Sequence, residues 1–353
     1  MATTFAASTN APIKVLIIDD SATIRRLLSL VLGSDPEICV VGEAENPIEA
    51  RELIKQTDPD VLTLDVEMPK MDGIEFLRRL MRLRPTPVVM ISTLTHKGSE
   101  AALTALQLGA VDVFGKPRRA EISEWQGLVS MVKTAARARA SQNAAVNPNL
   151  APARHGAWTG KIVAIGASTG GVDALETVLS RFPTDCPPTV IVQHMPELFL
   201  TSLATRLDAK YAPIIKLAEN GAPLRPGAVL IAPGGDHHLN VGHSHLRAEL
   251  VGSDKVAGHR PSVDVLFGSL VPRADNVVAT LLTGMGRDGA DGMKRLRSHG
   301  AMTIAQNEAT CVVYGMPRAA IEAGAADKIL PLTEIGDAIL AQAAVPVASR
   351  SRV

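Results

Sequence analysis

The sequence predicts an α/β protein made of two doubly wound domains, each with a mainly parallel sheet. Three observations carry this. The chain has 353 residues, more than one core commonly organises. Short apolar runs alternate with amphipathic segments in two separate series, one starting near residue 12 and one near residue 158. Between them, "KTAARARASQNAAVNPNLAPARHGAW" is rich in Ala, Asn, Pro and Arg and lacks β-branched runs, so it reads as a helix end passing into a linker. The expected limits are 12–130 for the first domain, 131–157 for the linker and 158–345 for the second domain.

In the first series "KVLIIDD" is an apolar strand ending in two acids, and "ATIRRLLSLVLGS" follows at helical spacing with a glycine stop. "VVGEAEN", "DVLTLDVEMP", "TPVVMIST" and "VDVFGKP" read as the later strands. "PIEARELIKQ", "GIEFLRRLMRL" and "SEAALTALQLG" read as the helices between them, which makes five βα units and a parallel sheet. In the second series the strands are "KIVAIGAS", "PTVIVQHM", "AVLIAP", "NVVATLLTG" and "AMTIAQN", with helices such as "VDALETVLSRFP" and "GADGMKRLRSHG". "HHLNVGHSHLRAELV" alternates over shorter spans around a glycine and predicts a β-hairpin insertion.

Composition narrows the class. Lys plus Arg and Asp plus Glu are 36 each, so there is no basic footprint for nucleic acid. Cys39, Cys186 and Cys311 are far apart and odd in number, which suits a reducing compartment and neither a disulfide framework nor a zinc site. The N-terminal stretch lacks a signal-peptide pattern, and no run approaches the roughly 18 apolar residues of a membrane span. The expectation is a cytoplasmic protein without membrane insertion, a monomer by default.

Ligands of open α/β sheets bind beyond the carboxyl ends of the strands. The first domain places Asp19 and Asp20, Asp65, Ser92 and Lys116 at four such ends. Three crowded carboxylates need a cation, and oxygen ligands of this kind suit Mg²⁺. A carboxylate beside that metal can attack phosphorus, while an ammonium and a hydroxyl hold the phosphoryl oxygens. "LIIDDSATIRR", "LTLDVEMPKMDG", "VVMIST" and "GAVDVFGKP" resemble the receiver domain of bacterial response regulators, a flavodoxin-like fold. The resemblance implies Asp65 as phosphoacceptor, and Asp19, Asp20 and the carbonyl of Glu67 as its partners at Mg²⁺. It also implies Ser92 as the switch hydroxyl and Lys116 as the phosphate-binding lysine.

In the second domain "VAIGASTGGVDAL" meets neither the dinucleotide fingerprint, because Ser168 replaces its middle glycine, nor the Walker pattern. It does meet G-x-S-x-G on a strand-to-helix turn, where small neighbours let a serine project. A serine hydroxyl needs a base. Of the nine histidines, His194 directly follows the strand "TVIVQ". His96 and His155 fall in polar loops, His299 beside a helix-ending glycine, and His237, His238, His243 and His245 in a hairpin that reads as solvated. An acid is needed to hold the imidazole, and "TLLTGMGRDGADGM" offers Asp288 and Asp291 just beyond another strand. The order Ser, His, acid differs from that of α/β-hydrolases.

"IGASTGG", "VIVQHMP", "VLIAPGG", "HRPSVDVLF", "LLTGMGRDGADGM" and "VVYGMPRAAIEAGAAD" resemble the catalytic domain of the chemotaxis protein-glutamate methylesterases, the CheB family. That resemblance implies a triad of Ser168, His194 and Asp288, with the N–H of Met285 as an oxyanion donor and Asp291 as a helix cap. It implies a phosphorylation-activated serine hydrolase that removes methyl groups from glutamate esters of chemoreceptors and deamidates receptor glutamines. The esterase reaction would need no cofactor. The partners implied are methyl-accepting chemoreceptors and a chemotaxis histidine kinase as phosphodonor. An alternative is the same hydrolase acting on a signalling protein outside chemotaxis. A response regulator that binds DNA is disfavoured by the neutral charge and the lack of a basic helix–turn–helix signature.

Overall fold

The computed structural model describes residues 11–68, 72–117, 122–138, 157–242 and 245–345. They divide into two compact units, one within 1–93 and 108–140, the other within 94–107 and 141–353. Most of the expected linker, and His155 and His243, lie outside the described residues.

The first sheet is built from β1 (Ile13–Ile18), β2 (Ile38–Ala44), β3 (Val61–Asp65), β4 (Val88–Ser92) and β5 (Asp112–Gly115). Its helices in chain order are α1 (Ala22–Gly33), α2 (Pro47–Thr57), α3 (Gly73–Leu83), α4 (His96–Gln107) and α5 (Ile122–Arg137), of which α4 falls in the second unit. His96 therefore opens a helix and is not a loop residue. The strands are parallel in the order β2-β1-β3-β4-β5. β3 and β4 are buried along their whole length, as strands covered on both faces must be. Local chemistry starts the helices: Ser21, Asn46 and Asp72 accept hydrogen bonds from the N–H groups of Ile24, Ile48 and Ile74, and Pro47 occupies the first turn of α2.

The second unit holds a seven-stranded sheet, parallel throughout, in the order β14-β13-β12-β6-β7-β9-β8. Its early elements are β6 (Ile162–Ala167), α6 (Gly171–Leu179), β7 (Thr189–Gln193), α7 (Glu197–Lys210), β8 (Ile214–Leu217) and β9 (Ala228–Ile231). Then come the antiparallel hairpin β10 (His238–Val241) and β11 (Ala248–Val251), followed by α8 (Val263–Leu270), β12 (Val277–Leu281) and α9 (Ala290–Ser298). β13 (Met302–Gln306), α10 (Met316–Glu322), β14 (Lys328–Leu330) and α11 (Leu332–Ala343) complete it. The chain leaves β6 toward β7, β9 and β8, then returns to β12 on the other flank. The strand order thus reverses at β6, where open α/β sheets bind ligands. Leu266, Phe267 and Leu270 of α8 bury themselves with Met293 and Leu296 of α9 against Ala164, Val190 and Ala279 of the sheet. The edge strands β8 and β14 escape the sequence pattern because they are short and half exposed.

Candidate active site

In the first unit Asp19 and Asp20 follow β1, Asp65 ends β3, Ser92 ends β4 and Lys116 follows β5. The Lys116 ammonium lies 3.0 Å from Asp19 Oδ2 and 2.9 Å from Asp65 Oδ2. One oxygen from each of Asp19, Asp20 and Asp65 can be chosen within 4.8 Å of the others. Burial pushes the Asp65 carboxyl up to about 6, with Asp19 adding and Lys116 opposing. Burial acts to lower Lys116, but its two carboxylate partners outweigh that and raise it. This is a set of hard oxygen donors short of positive charge, and it fits Mg²⁺. Glu67 sits just past β3, its N–H 3.4 Å from Asp65 Oδ1. Ser92 is fully buried and its hydroxyl donates to the Thr93 carbonyl.

In the second unit three adjacent strands supply the other site. The register pairs Ala167 of β6 with Gln193 of β7, so Ser168 and His194 are the next residues beyond the pair. Leu281 of β12 pairs with Gly166, which brings the loop after β12 alongside. Ser168 is 8% exposed. Its N–H donates to the Thr283 carbonyl at 3.0 Å. Its carbonyl accepts from the Gly171 N–H at 2.7 Å and from the Gln193 amide at 2.9 Å. The turn closes through Gly170, whose φ is 76°, before α6 begins. Gly284 must also be glycine: a Cβ there would stand 2.6 Å from Ser168 Cβ.

His194 Nε2 lies 2.8 Å from Asp288 Oδ2. A carboxylate only accepts, so Nε2 carries the proton and Nδ1 keeps its lone pair. Nδ1 is buried and makes no hydrogen bond, so the expected serine–base bond is not formed in this geometry. Such bonds are often long before substrate binds.

Asp288 is held more tightly than the sequence indicates. Oδ1 accepts from the Ser262 hydroxyl at 2.8 Å and the Asp264 N–H at 3.0 Å, and Oδ2 from the Val263 N–H at 2.7 Å as well as from His194. The carboxylate therefore caps the N-terminus of α8 from outside, where backbone donors and the helix dipole favour an anion. Burial alone would raise its pKa, but the bonds to His194, Asp264 and Ser262 prevail and hold it at about 2.

Two further sequence expectations are corrected. His238 is not solvated: it is fully buried, its Nδ1 accepts the Ser262 N–H at 3.1 Å and its Nε2 meets the Asp254 carbonyl at 3.0 Å. His238 begins β10, which is buried on both faces there, while His237 and His245 lie outside the two strands and are exposed. Asp291 is not the helix cap. Gly289 occupies that position in α9, and Asp291 in the first turn pairs with Arg287 at 3.0 Å on the surface. Met285 lies between Gly284, which packs against Ser168, and Gly286. Sequence reasoning overlooked Ser262, Val263, Asp264 and His259. The quoted stretch "HRPSVDVLF" was the signal that could have found them.

Comparison with known proteins is direct. Residues 163–339 match the family model described as CheB methylesterase, and residues 15–124 match the response regulator receiver domain. A protein-glutamate methylesterase/protein-glutamine glutaminase of Rhizobium johnstonii is 52% identical over 94% of this chain and 96% of its own length. One from Caulobacter vibrioides is 53% identical over 94% of this chain and 98% of its own length. The crystal structure of the Thermotoga maritima CheB methylesterase catalytic domain aligns at a TM-score of 0.50 with 40% identity, covering 52% of this chain and 98% of that one. Among the described residues no helix is long and apolar enough to cross a membrane.

Proposed function

Since this chain belongs to the CheB methylesterase family, with a response regulator receiver domain ahead of the catalytic domain, we propose that it is a phosphorylation-activated serine hydrolase of chemoreceptors in the cytoplasm. It is a protein-glutamate methylesterase and protein-glutamine glutaminase by kinship. The specific target is γ-glutamyl methyl esters and selected glutamines on receptor helices. The observation that supports the reading best is the row of Ser168, His194 and Asp288 beyond three neighbouring strands, with His194 and Asp288 hydrogen-bonded.

The chemistry follows from that row. Ser168 Oγ attacks the ester carbonyl carbon while His194 Nδ1 takes its proton. Asp288 stabilises the imidazolium and stays ionised, as its low pKa requires. The Met285 N–H donates to the oxyanion. Collapse expels methanol, protonated by His194. Water then attacks the acyl-enzyme with His194 as base, releasing glutamate and restoring Ser168. With a glutamine amide the same steps expel ammonia.

The receiver supplies control. Asp65 accepts a phosphoryl group from a histidine kinase, and Lys116 and Ser92 bind its oxygens. Asp19, Asp20, Asp65 and the Glu67 carbonyl would hold Mg²⁺, which supplies charge neutralisation when bound. The modification adds charge at the end of β3 and raises esterase activity. The test is methanol release from methylated receptor, with and without a small phosphodonor. Release should rise with phosphodonor and vanish in Ser168→Ala. Activity of Ser168→Ala within a few fold of wild type would exclude that serine as nucleophile.

A further inference from the structure

The ring of His259 lies flat on the ring of His194, with centroids 3.7 Å apart and planes 4° from parallel. Of the two ring nitrogens of His194, only Nε2 makes a hydrogen bond, to Asp288. One hydrogen bond does not set the plane of an imidazole, because rotation about its Cβ–Cγ bond is soft. Turning the ring moves Nδ1, the atom that must meet Ser168. A second flat ring against its face removes that freedom.

His259 is in turn anchored. Its N–H and carbonyl exchange bonds with Val256 at 2.9 and 3.0 Å. The next residue, Arg260, donates from its guanidinium to the carbonyls of Gly235 and Ser253, both at 2.8 Å, and to Asp236 Oδ1 at 2.6 Å. Ser262, three residues on, is held by His238 and Asp288. The charges that face the pair are Asp288 and Lys255. Burial first, then the neighbouring His194 and Lys255, push His259 down to about 4 against the pull of Asp288. It therefore stays a neutral flat ring while His194 gains and loses its proton.

We propose that His259 is a positioning residue for the base: its ring is the wall that holds the His194 imidazole in the plane where Asp288 takes Nε2 and Nδ1 stays unbonded, open to Ser168 when substrate binds. The role rests on the reading of Ser168, His194 and Asp288 as a triad.

The experiment compares His259→Ala, which removes the wall, with His259→Phe, which keeps a flat ring that neither titrates nor hydrogen-bonds. The full-length protein is assayed with phosphodonor on methylated receptor, and ¹⁵N-histidine NMR reads the His194 tautomer at neutral pH. His259→Ala should lower kcat by about 10–100-fold with KM nearly unchanged, the signature of misplacement rather than lost binding. Its His194 signals should average between tautomers. His259→Phe should keep kcat within about fivefold of wild type and retain the single Nε2–H tautomer. Wild-type kcat in folded His259→Ala overturns the proposal, and so does a folded His259→Phe that has lost both activity and the single tautomer. If His259→Ala does not fold, His259→Phe decides alone by the same two readouts. Should Ser168→Ala remain active, the triad reading has failed, and the tautomer still reports on the stack independently of any substrate.

Discussion

Asparagine at position 288 keeps the shape of the side chain and removes its charge and one accepting edge. The native carboxylate accepts four bonds: Ser262 hydroxyl and Asp264 N–H on Oδ1, Val263 N–H and His194 Nε2 on Oδ2. If the amide nitrogen took the Oδ2 place it would face the Val263 N–H, donor against donor. His194 would then have to accept on Nε2 and carry its proton on Nδ1, which is useless for a base. If the nitrogen took the Oδ1 place, only the Asp264 N–H would be left unmatched, since the Ser262 hydroxyl can turn and accept. The second arrangement is the cheaper and we expect it. An unmatched buried N–H costs about 1–3 kcal/mol. The lost charge costs about 2 kcal/mol, because the carboxyl is held at about 2 against an ordinary 3.8. The two overlap, as the same N–H groups stabilise the charge, so Asp288→Asn should lose about 2–4 kcal/mol at neutral pH. The sign of the pH dependence is set by the depressed value. The stabilisation is fully present above 3.8 and lost as pH falls through about 2, so the gap between wild type and variant closes over that window. With the tautomer kept, what the imidazolium loses is its counter-charge, and kcat should fall by about 10²-fold, the roughly 2–3 kcal/mol of lost charge stabilisation taken at about 1.4 kcal/mol per decade. Urea unfolding of the catalytic unit and methanol release check both figures. A stability gap under about 1 kcal/mol, or kcat within about tenfold of wild type, would refute the account of Asp288.

The other expectations concern control, the nucleophile turn and acid sensitivity. Asp65→Asn should abolish stimulation by phosphodonor; equal stimulation of variant and wild type in the methanol assay would remove Asp65 as the phosphoacceptor. Gly170→Ala places a Cβ 2.6 Å from that of Val312 at a φ of 76°. It should cost roughly 2–4 kcal/mol, and Val312→Ala should restore part of the loss in a double-mutant cycle read by unfolding. His259 has a folded value of about 4 against an ordinary 6.5, so its neutral form favours the fold above 6.5, and that contribution is lost as pH falls toward 4. Relative to His259→Phe, the wild type should lose roughly 2–3 kcal/mol across that window, and parallel stability curves would show that the ring does not titrate there.

How much was legible depended on whether a feature is local. The parallel sheets could be read because buried strands such as "IVAIGA" and "VVMIS" leave apolar runs, and because helix starts carry caps like Asn46-Pro47. β8 and β14 were missed since an edge strand needs little burial and leaves little pattern. That Ser168, His194, Asp65 and Lys116 stand at or just beyond strand ends was legible because a strand end is a position on the chain as well as in space. His238 is buried although His237 and His245 are exposed, because it is the first residue of β10 while they lie outside the strands, and composition does not show where a strand begins. Asp291 was misread because a first-turn acid and a cap are adjacent in sequence and differ only in backbone geometry.

By itself the sequence determined two sheets, their order along the chain and the reactive groups at the carboxyl ends of their strands. Those follow from apolar periodicity and from residue type, which are properties of the chain. What surrounds the reactive groups was decided only in the tertiary structure. The strand reversal at β6 brings the loops after β6, β7 and β12 together, and α8 then aims its free N–H groups at Asp288 while His259 covers His194. These contacts join residues that are 24 to 94 positions apart. No local pattern encodes such a meeting; it arises when the core under α8 and α9 packs and fixes where each loop must end.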